Sequence, residues 1–284
     1  MWCMDAELTD KYRLLKDNIG RYGSAIVAFS GGIDSSLVAH VAGNVLGDRA
    51  LAVTSASASL KRADLALAKE LAEDWGIQHR VIVTDELSKP EYRANPGNRC
   101  FYCKTSLYTY LDELAARETV EVVLNGTNLD DLGDHRPGLI AADNFKVASP
   151  LAESGFNKQD VRTLARHLGL RNWEKPQAAC LSSRFPYGTE ITLELLAQVE
   201  SAEEVLVGLG FSQCRVRHHG DVARLEISPA QFSLALQHHE AISEGIRATG
   251  YSYVALDLGG FRSGSLNQAL SADEVQVVSI HQPE

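Results

Sequence analysis

Three groups of residues in this sequence could do chemistry. The first is Ser30-Gly31-Gly32-Ile33-Asp34-Ser35-Ser36. Two adjacent glycines let the backbone turn tightly enough for successive amide N–H groups, and the positive end of a following helix, to converge on an anion. The hydroxyls of Ser30, Ser35 and Ser36 are further donors, and the Asp34 carboxylate could hold a Mg²⁺ that bridges phosphate oxygens. No Gly-Lys-Ser/Thr follows, as a Walker A loop would require, and the spacing is not G-x-G-x-x-G. The stretch therefore reads as a phosphate site of another kind, set against the plainer reading of a serine-capped Gly-Gly turn.

The second group is cysteine. Cys100 and Cys103 have metal-ligand spacing at or near a helix start, where the dipole and the neighbouring Arg99 and Lys104 would lower thiol pKa values. Chance placement and a thioredoxin-like redox pair are the competing readings, although the surrounding pattern does not suit the latter. Cys180 lies in Asn172–Gly188, a stretch of little periodicity that also carries Ser182, Ser183, Arg184 and the prolines Pro176 and Pro186. Three thiolates suffice to hold a [4Fe-4S] cluster by three irons and leave the fourth open. Cys214 reads as a near-core strand residue, and Cys3 as terminal and uninvolved. The third group is arginine. Arg215 and Arg217 alternate on one strand and so point the same way, with Arg224 across a hairpin at His219-Gly220-Asp221. Such a row suits bidentate phosphate or carboxylate binding, or else is a set of solvated strand charges.

These groups need elements to position them. Ala25–Phe29 is a β-rich apolar run, and Leu37–Ala42 has apolar residues at helical spacing, so the glycine turn joins a strand to a helix. Leu8, Tyr12, Leu15 and Ile19 predict a leading helix beside that strand. Further strands are predicted over Ala50–Thr54, Arg80–Thr84, Val120–Leu124 and Lys146–Leu151. Helices are predicted over Leu60–Trp75, from the Asn95–Lys104 loop to about Ala116, and over Lys158–Leu168. Alternating strands and helices mean an α/β fold with a doubly wound parallel sheet, whose ligands lie beyond the carboxyl ends of the strands. The loop Asn125–Asp131 falls at that same edge, so its Gly126, Asn128 and aspartates reach nucleotide or metal, unless it is a solvated acidic turn. Asp134, Arg136, Pro137 and Gly138 continue it. From about Thr189 the pattern becomes a helix (Leu193–Leu209), strands (Cys214–His218, Ala223–Ile227), a helix (Pro229–Thr249) and a strand (Tyr251–Leu256), a smaller α+β domain with half of a ferredoxin-like arrangement. The expected organisation is 1–170 as the nucleotide domain, 171–188 as a cysteine-bearing connection and 189–284 as a substrate and oligomerisation domain.

At 284 residues, 45% hydrophobic and 23% charged, the composition is that of a soluble globular protein. No apolar run approaches a membrane span, and the N-terminal residues lack a signal-peptide pattern, so a cytoplasmic location is expected. A formal net charge of −10 disfavours charge-driven binding to nucleic acid. Five cysteines, an odd number, argue against a disulfide framework.

Following an apolar strand, S-G-G-x-D-S resembles the PP-loop of the ATP pyrophosphatases, which implies cleavage of ATP between its α and β phosphates. More of the chain resembles one branch of them, the LarE family of ATP-dependent sacrificial sulfur transferases. The resemblance extends over Asn98–Lys104, Gly126–Asn128 with Arg136-Pro137-Gly138, Cys180 with Ser182–Gly188, and Leu256–Gly264. It implies ATP and Mg²⁺ as cofactors, with Ala28, Ser30, Gly31, Gly32, Asp34, Ser35, Ser36, Gly126 and Asn128 around ATP. It also implies a mononucleotide substrate, pyridinium-3,5-biscarboxylic acid mononucleotide, whose phosphate is taken by Ser183, Arg184, Arg215 and Arg217. The thiocarboxylate product belongs to synthesis of the nickel-pincer cofactor of lactate racemase. In one version of the family a cysteine at the position of Cys180 gives up its own sulfur; in the other, three cysteines hold a [4Fe-4S] cluster with a transferable sulfide. With Cys100, Cys103 and Cys180 all present, the cluster version is expected here, with a sulfide or other sulfur donor and a trimeric or hexameric assembly. The alternatives are a PP-loop tRNA thiolase, disfavoured by the acidic charge and the lack of an appended RNA-binding domain; an amide ligase, which leaves the three cysteines without a shared purpose; and a nucleotide-binding redox sensor.

Overall fold

The structure, a computed structural model, describes residues 4–132, 137–176 and 179–262. Asp5 caps α1 (Ala6–Gly20) by accepting from the Leu8 amide at 2.8 Å, and Leu8, Leu15 and Ile19 form its buried face. Then come β1 (Ala25–Ala28), α2 (Ile33–Leu46), β2 (Ala50–Ser55), α3 (Arg62–Asp74) and β3 (Gln78–Ile82). Gly76, at φ 63°, provides the left-handed turn that ends α3. The chain continues through α4 (Pro90–Arg93), α5 (Arg99–Glu118), β4 (Val122–Leu124), α6 (Leu129–Leu132), α7 (Pro137–Asn144), α8 (Pro150–Glu153) and α9 (Lys158–His167). The last elements are α10 (Leu193–Gly208), β5 (Cys214–His219), β6 (Val222–Ile227), α11 (Phe232–Gln237), α12 (His239–Arg247) and β7 (Tyr253–Leu256).

β1 to β4 form one parallel sheet in the order β3-β2-β1-β4. Along β1, Ala25 and Val27 belong to the core that α1, α2 and α9 cover, while Ile26 belongs to the core under α5 and α7. A strand buried on both faces has to be apolar throughout, which is why Ala-Ile-Val-Ala reads as a run rather than an alternation. β1 is the switch point, with β2 on one side and β4 on the other, so the loops after β1 and β4 open side by side at the carboxyl edge. No helix among the described residues is long and apolar enough to cross a membrane.

Two expected elements are corrected. Lys146–Leu151 is not a strand: it contributes a single parallel bridge, Ala148 to Leu124. Lys146 sits at φ 51° and Pro150 starts α8, a position that suits proline because its missing N–H would have no partner there. Pro229–Thr249 is not one helix. A 3₁₀ turn (Pro229–Gln231) leads into α11, and His238 (φ −101°, ψ 17°) separates α11 from α12. Neither glycine nor proline marks that break.

The described residues fall into two compact units, one within Met1–Glu86 and Cys100–Ala178, the other within Leu87–Arg99 and Ala179–Glu284. The second has a sheet of order β5-β6-β7, with β5 antiparallel and β7 parallel to β6. Val216, Ala223, Leu225 and Ile227 from the sheet pack with Ala202 and Leu206 of α10 and Ile242 and Ile246 of α12. Residues 87–99 are tied into this unit: the Gly188 amide donates to the Asn95 carbonyl at 2.9 Å, and the Tyr92 hydroxyl meets that of Ser182 at 2.6 Å.

Candidate active site

The loop after β1 is built to receive an anion. Gly32 is the N-cap of α2 and has no side chain with which to cap it, so the first-turn N–H groups are not consumed by the residue that usually takes them. The Ser35 hydroxyl accepts from the Ser30 amide at 3.2 Å and donates to the Gly32 carbonyl at 3.0 Å, which closes the turn on itself. Gly31 is glycine for two reasons: its φ is 70°, and a Cβ there would meet the Asp64 carbonyl oxygen at 3.2 Å and Ala68 Cβ at 3.3 Å. Ser36 lies beneath the loop, fully buried.

The loop after β4 closes on this turn. A Cβ on Gly126 would stand 2.6 Å from the Ser35 nitrogen. Asn128 Nδ2 donates to Asp34 Oδ1 at 3.1 Å, and Lys158 Nζ forms an ion pair with Asp34 Oδ2. Asn125 Oδ1 accepts from the Thr127 amide and the Ser149 hydroxyl, each at 2.9 Å, while its buried Nδ2 has no partner among the described residues. Behind the turn, Asn172 Nδ2 donates to the Gly31 carbonyl at 3.1 Å and to the Ser36 hydroxyl at 2.8 Å. Lys175 Nζ donates to the same carbonyl at 3.3 Å and pairs with Asp64 at 2.8 Å. The structure thus gathers Ser30–Ser36, Gly126 and Asn128 at one edge, with Ala28 ending β1 below them. It adds Lys158, Asn172, Lys175 and Asp64, which sequence reasoning gave no role. Lys158 carried a signal: it opens α9 inside an Asn157–Asp160 capping box, where a cation opposes the helix dipole unless an anion faces it.

Mg²⁺ bound with a nucleotide needs only one or two carboxylates, the rest of its shell being phosphate oxygens and water, so Asp34 fits that task once Lys158 yields its oxygen. The cysteines are different. Cys100 and Cys180 are exposed, Cys103 and Cys214 half-buried, and none is in a disulfide. Cys100 and Cys103 open α5 in the first unit, while Cys180 belongs to the second. Among the described residues no three His, Cys, Asp or Glu are grouped to hold a metal. Thiolates are the right donors for iron, so the three cysteines fit a cluster by donor chemistry. Arg99 also has a structural task. Its buried guanidinium turns to Asn95 Oδ1 and to the Ser182 carbonyl at 2.9 Å. The Cys180 backbone is clamped, its carbonyl accepting from the Ser183 amide at 3.0 Å, the Ser183 hydroxyl at 2.7 Å and Arg184 Nη1 at 3.2 Å, while its thiol side faces out.

The arginines are unequal. Arg184 forms a buried pair with Glu203, Nε to Oε1 at 2.8 Å and Nη2 to Oε2 at 3.2 Å. Arg217 pairs with buried Glu226 at 2.9 Å and donates to the Ser183 carbonyl. Arg224, opposite Arg217 in the register, pairs with Asp257 and with Glu226. Arg215 is buried, donates to the Arg262 carbonyl at 3.0 Å and stacks on the Phe261 ring at 4.3 Å, but pairs with no carboxylate among the described residues. Burial, then the fields of Arg184 and Arg217, bring its pKa down to about 10. Cys3, Asp134, Arg136, Gln177, Ala178, Ser263 and Gly264 lie outside the described residues.

Residues 24–133 match the family model described as asparagine synthase. The chain is 43% identical over 266 residues to an uncharacterized protein of Synechocystis sp., covering 93% of this chain and 99% of the relative. It is 42% identical over 246 residues to pyridinium-3,5-bisthiocarboxylic acid mononucleotide synthase of Lactiplantibacillus plantarum, covering 86% and 89% of the two chains. An uncharacterized protein of Methanocaldococcus jannaschii is 30% identical over 238 residues, 84% of this chain and 90% of the relative.

Proposed function

This chain belongs to the LarE family of ATP-dependent sulfur transferases, and on that premise we propose that it converts pyridinium-3,5-biscarboxylic acid mononucleotide to the bisthiocarboxylic product for which the Lactiplantibacillus relative is named. The observation that carries this reading is an anion cradle at the switch point of the sheet, in a chain aligned with that synthase over 86% of its length. A carboxylate is a poor electrophile because its leaving group would be oxide. Its oxygen attacks the α-phosphorus of ATP, the bond to the β-phosphate breaks, and pyrophosphate leaves with the electron pair. A sulfur nucleophile then attacks the acyl carbon and AMP departs.

The amides and hydroxyls of Ser30–Ser36 hold the departing pyrophosphate, Ala28, Gly126 and Asn128 line the nucleotide, and Asp34 holds Mg²⁺. Ser183, Arg184, Arg215 and Arg217 take the substrate phosphate. Arg215 bears most of that role, because Arg184 and Arg217 already face buried carboxylates. Cys100, Cys103 and Cys180 supply the thiolates of a [4Fe-4S] cluster, which when bound would offer an open iron for a transferable sulfide. The product serves synthesis of the nickel-pincer cofactor of lactate racemase, and the chain works as a trimer or hexamer.

Protein prepared without oxygen is expected to contain about one [4Fe-4S] cluster per chain. Iron content, the visible iron–sulfur absorption and sulfur insertion should fall in Cys100→Ala, Cys103→Ala and Cys180→Ala, and persist in Cys214→Ala. A single turnover by iron-free protein, with Cys180 losing the mass of H₂S and with Cys100→Ala and Cys103→Ala active, would make Cys180 the donor and remove the cluster. Release of orthophosphate in place of pyrophosphate would reject the adenylation chemistry itself.

A further inference from the structure

We propose that Asn172 and Lys175 are positioning residues of the phosphate cradle, holding the Gly31 carbonyl away from the anion so that the Gly32 N–H is aimed at pyrophosphate. This rests on the reading above and adds to it two residues that touch neither ATP nor substrate in that scheme. The argument begins with the peptide unit. Across a trans peptide the C=O of one residue and the N–H of the next point in opposite directions, and the chain contains no cis peptide bonds among its described residues. Whatever fixes the direction of the Gly31 carbonyl therefore fixes that of the Gly32 amide.

Between two glycines that direction is weakly determined by local sterics, because neither residue has a Cβ to disfavour the flipped peptide. Two long-range donors determine it instead. Asn172 Nδ2 and Lys175 Nζ converge on the Gly31 oxygen at 3.1 and 3.3 Å, from 141 and 144 residues further along the chain. Each is itself held. Asn172 is buried and spends its other amide hydrogen on the Ser36 hydroxyl at 2.8 Å, so it spans the turn from Gly31 to the first turn of α2. Lys175 is anchored by Asp64 at 2.8 Å, both side chains being largely shielded from solvent.

A flipped peptide would leave these donors without their acceptor and turn a carbonyl oxygen toward the anion, replacing attraction with repulsion. On the opposite, exposed side, the Gly32 N–H has only a long contact, 3.4 Å, to the Ser30 hydroxyl, so it is available to a better acceptor. A preorganised donor of this kind needs no rearrangement as charge develops on the leaving group.

The test measures binding of inorganic pyrophosphate by titration calorimetry, well below the melting temperature of each variant, alongside pyrophosphate release from ATP with Mg²⁺ and the mononucleotide. Lys175→Met and Asn172→Ala are each expected to weaken pyrophosphate binding about tenfold and to lower kcat by at least as much, the scale of one or two lost hydrogen bonds to a charged group. Lys175→Arg, which restores a donor to the Gly31 carbonyl, should recover most of both. Asn172→Ala changes no charge, so its loss reports the direction of the peptide rather than the field of a lysine. A purely structural brace would lower the melting temperature and leave pyrophosphate affinity intact, and wild-type affinity in both folded variants would overturn the proposal. Wild-type protein that binds pyrophosphate but releases none in turnover would sink the functional reading and leave this one standing.

Discussion

Gly126→Ala is expected to cost turnover in a protein that still folds. A Cβ at this position would lie 2.6 Å from the Ser35 nitrogen, 2.9 Å from the Asp34 carbonyl carbon and 3.0 Å from the Ser35 Cα. All three are backbone atoms of the first turn of α2, so no rotamer change relieves the clash. Non-bonded contacts settle near about 3.5 Å, and the two loops must therefore part by roughly 0.9 Å. The loop after β4 is held on both flanks, by the Asn125 bonds to Thr127 and Ser149 and by Asn128 on Asp34, so much of the displacement falls on the cradle. Overpacking of this kind costs about 1–3 kcal/mol, whereas a misplacement near 1 Å of aligned reacting groups can cost about 10²-fold in rate. Thermal denaturation should show a folded protein with a modestly lowered Tm, and pyrophosphate release at saturating ATP should fall about 10²-fold. Gly208→Ala, where an added Cβ meets nothing within 4 Å, is the control and should match wild type. If folded Gly126→Ala turned over within about threefold of wild type, the contact between Gly126 and Ser35 would not be what sets the cradle.

Arg215→Gln should weaken mononucleotide binding at least about tenfold while ATP affinity stays within about twofold, since it removes the member of the arginine row that lacks a carboxylate partner among the described residues; equal losses for both ligands in calorimetry would reject that assignment. Glu203→Ala leaves Arg184 buried without its partner and frees the Val216 amide, and should destabilise the protein by about 3–5 kcal/mol in urea titration, a loss below about 1 kcal/mol counting against a buried pair. Burial holds the His40 imidazole below its ordinary pKa, so as pH falls through 6.5 the unfolded chain takes up a proton that the folded chain does not, and stability declines toward the lower folded value. His40→Leu should flatten the dependence of Tm on pH below 6.5 relative to wild type, and an unchanged slope would mean that His40 is not the group responsible.

The legible parts of this protein were those whose partners are close in sequence. β1, the glycine turn and α2 could be read because an apolar run, a pair of glycines and a helical period follow one another within about twenty residues, each restricting the next. Asn172 and Lys175 could not be read this way, since their acceptor is a backbone carbonyl more than a hundred residues earlier. Arg99 shows the limit of adjacency. It precedes Cys100 in sequence, yet its guanidinium also holds Asn95 and the Ser182 carbonyl, partners that adjacency does not reveal. Arg184 and Arg217 were legible as cations suited to an anion, but Glu203 and Glu226, which already hold them, were not legible as their partners. Lys146–Leu151 had the composition of a strand, yet a left-handed Lys146 and a proline that begins a helix leave it only one bridge.

The charge of the chain and the charge of its arginine row act over different ranges, and together they favour a small anion over a polymeric one. A formal net charge of −10 repels a polyanion across its whole length of approach, because many phosphates meet the mean surface charge at once. A single phosphate group is less exposed to that repulsion, since salt screens charges beyond about 8 Å at physiological ionic strength. Within that distance the local balance governs. Arg184, Arg217 and Arg224 are matched by Glu203, Glu226 and Asp257, whereas Arg215 is matched by no carboxylate among the described residues and sits in the fields of Arg184 and Arg217. Its burial, and then those fields, lower its pKa to about 10, and an incoming anion offsets both, by pairing with the guanidinium and by countering its neighbours. The same substitution that relieves this unfavourable charge, Arg215→Gln, should therefore stabilise the unliganded protein while it weakens the ligand, opposite signs that a packing role for Arg215 would not produce.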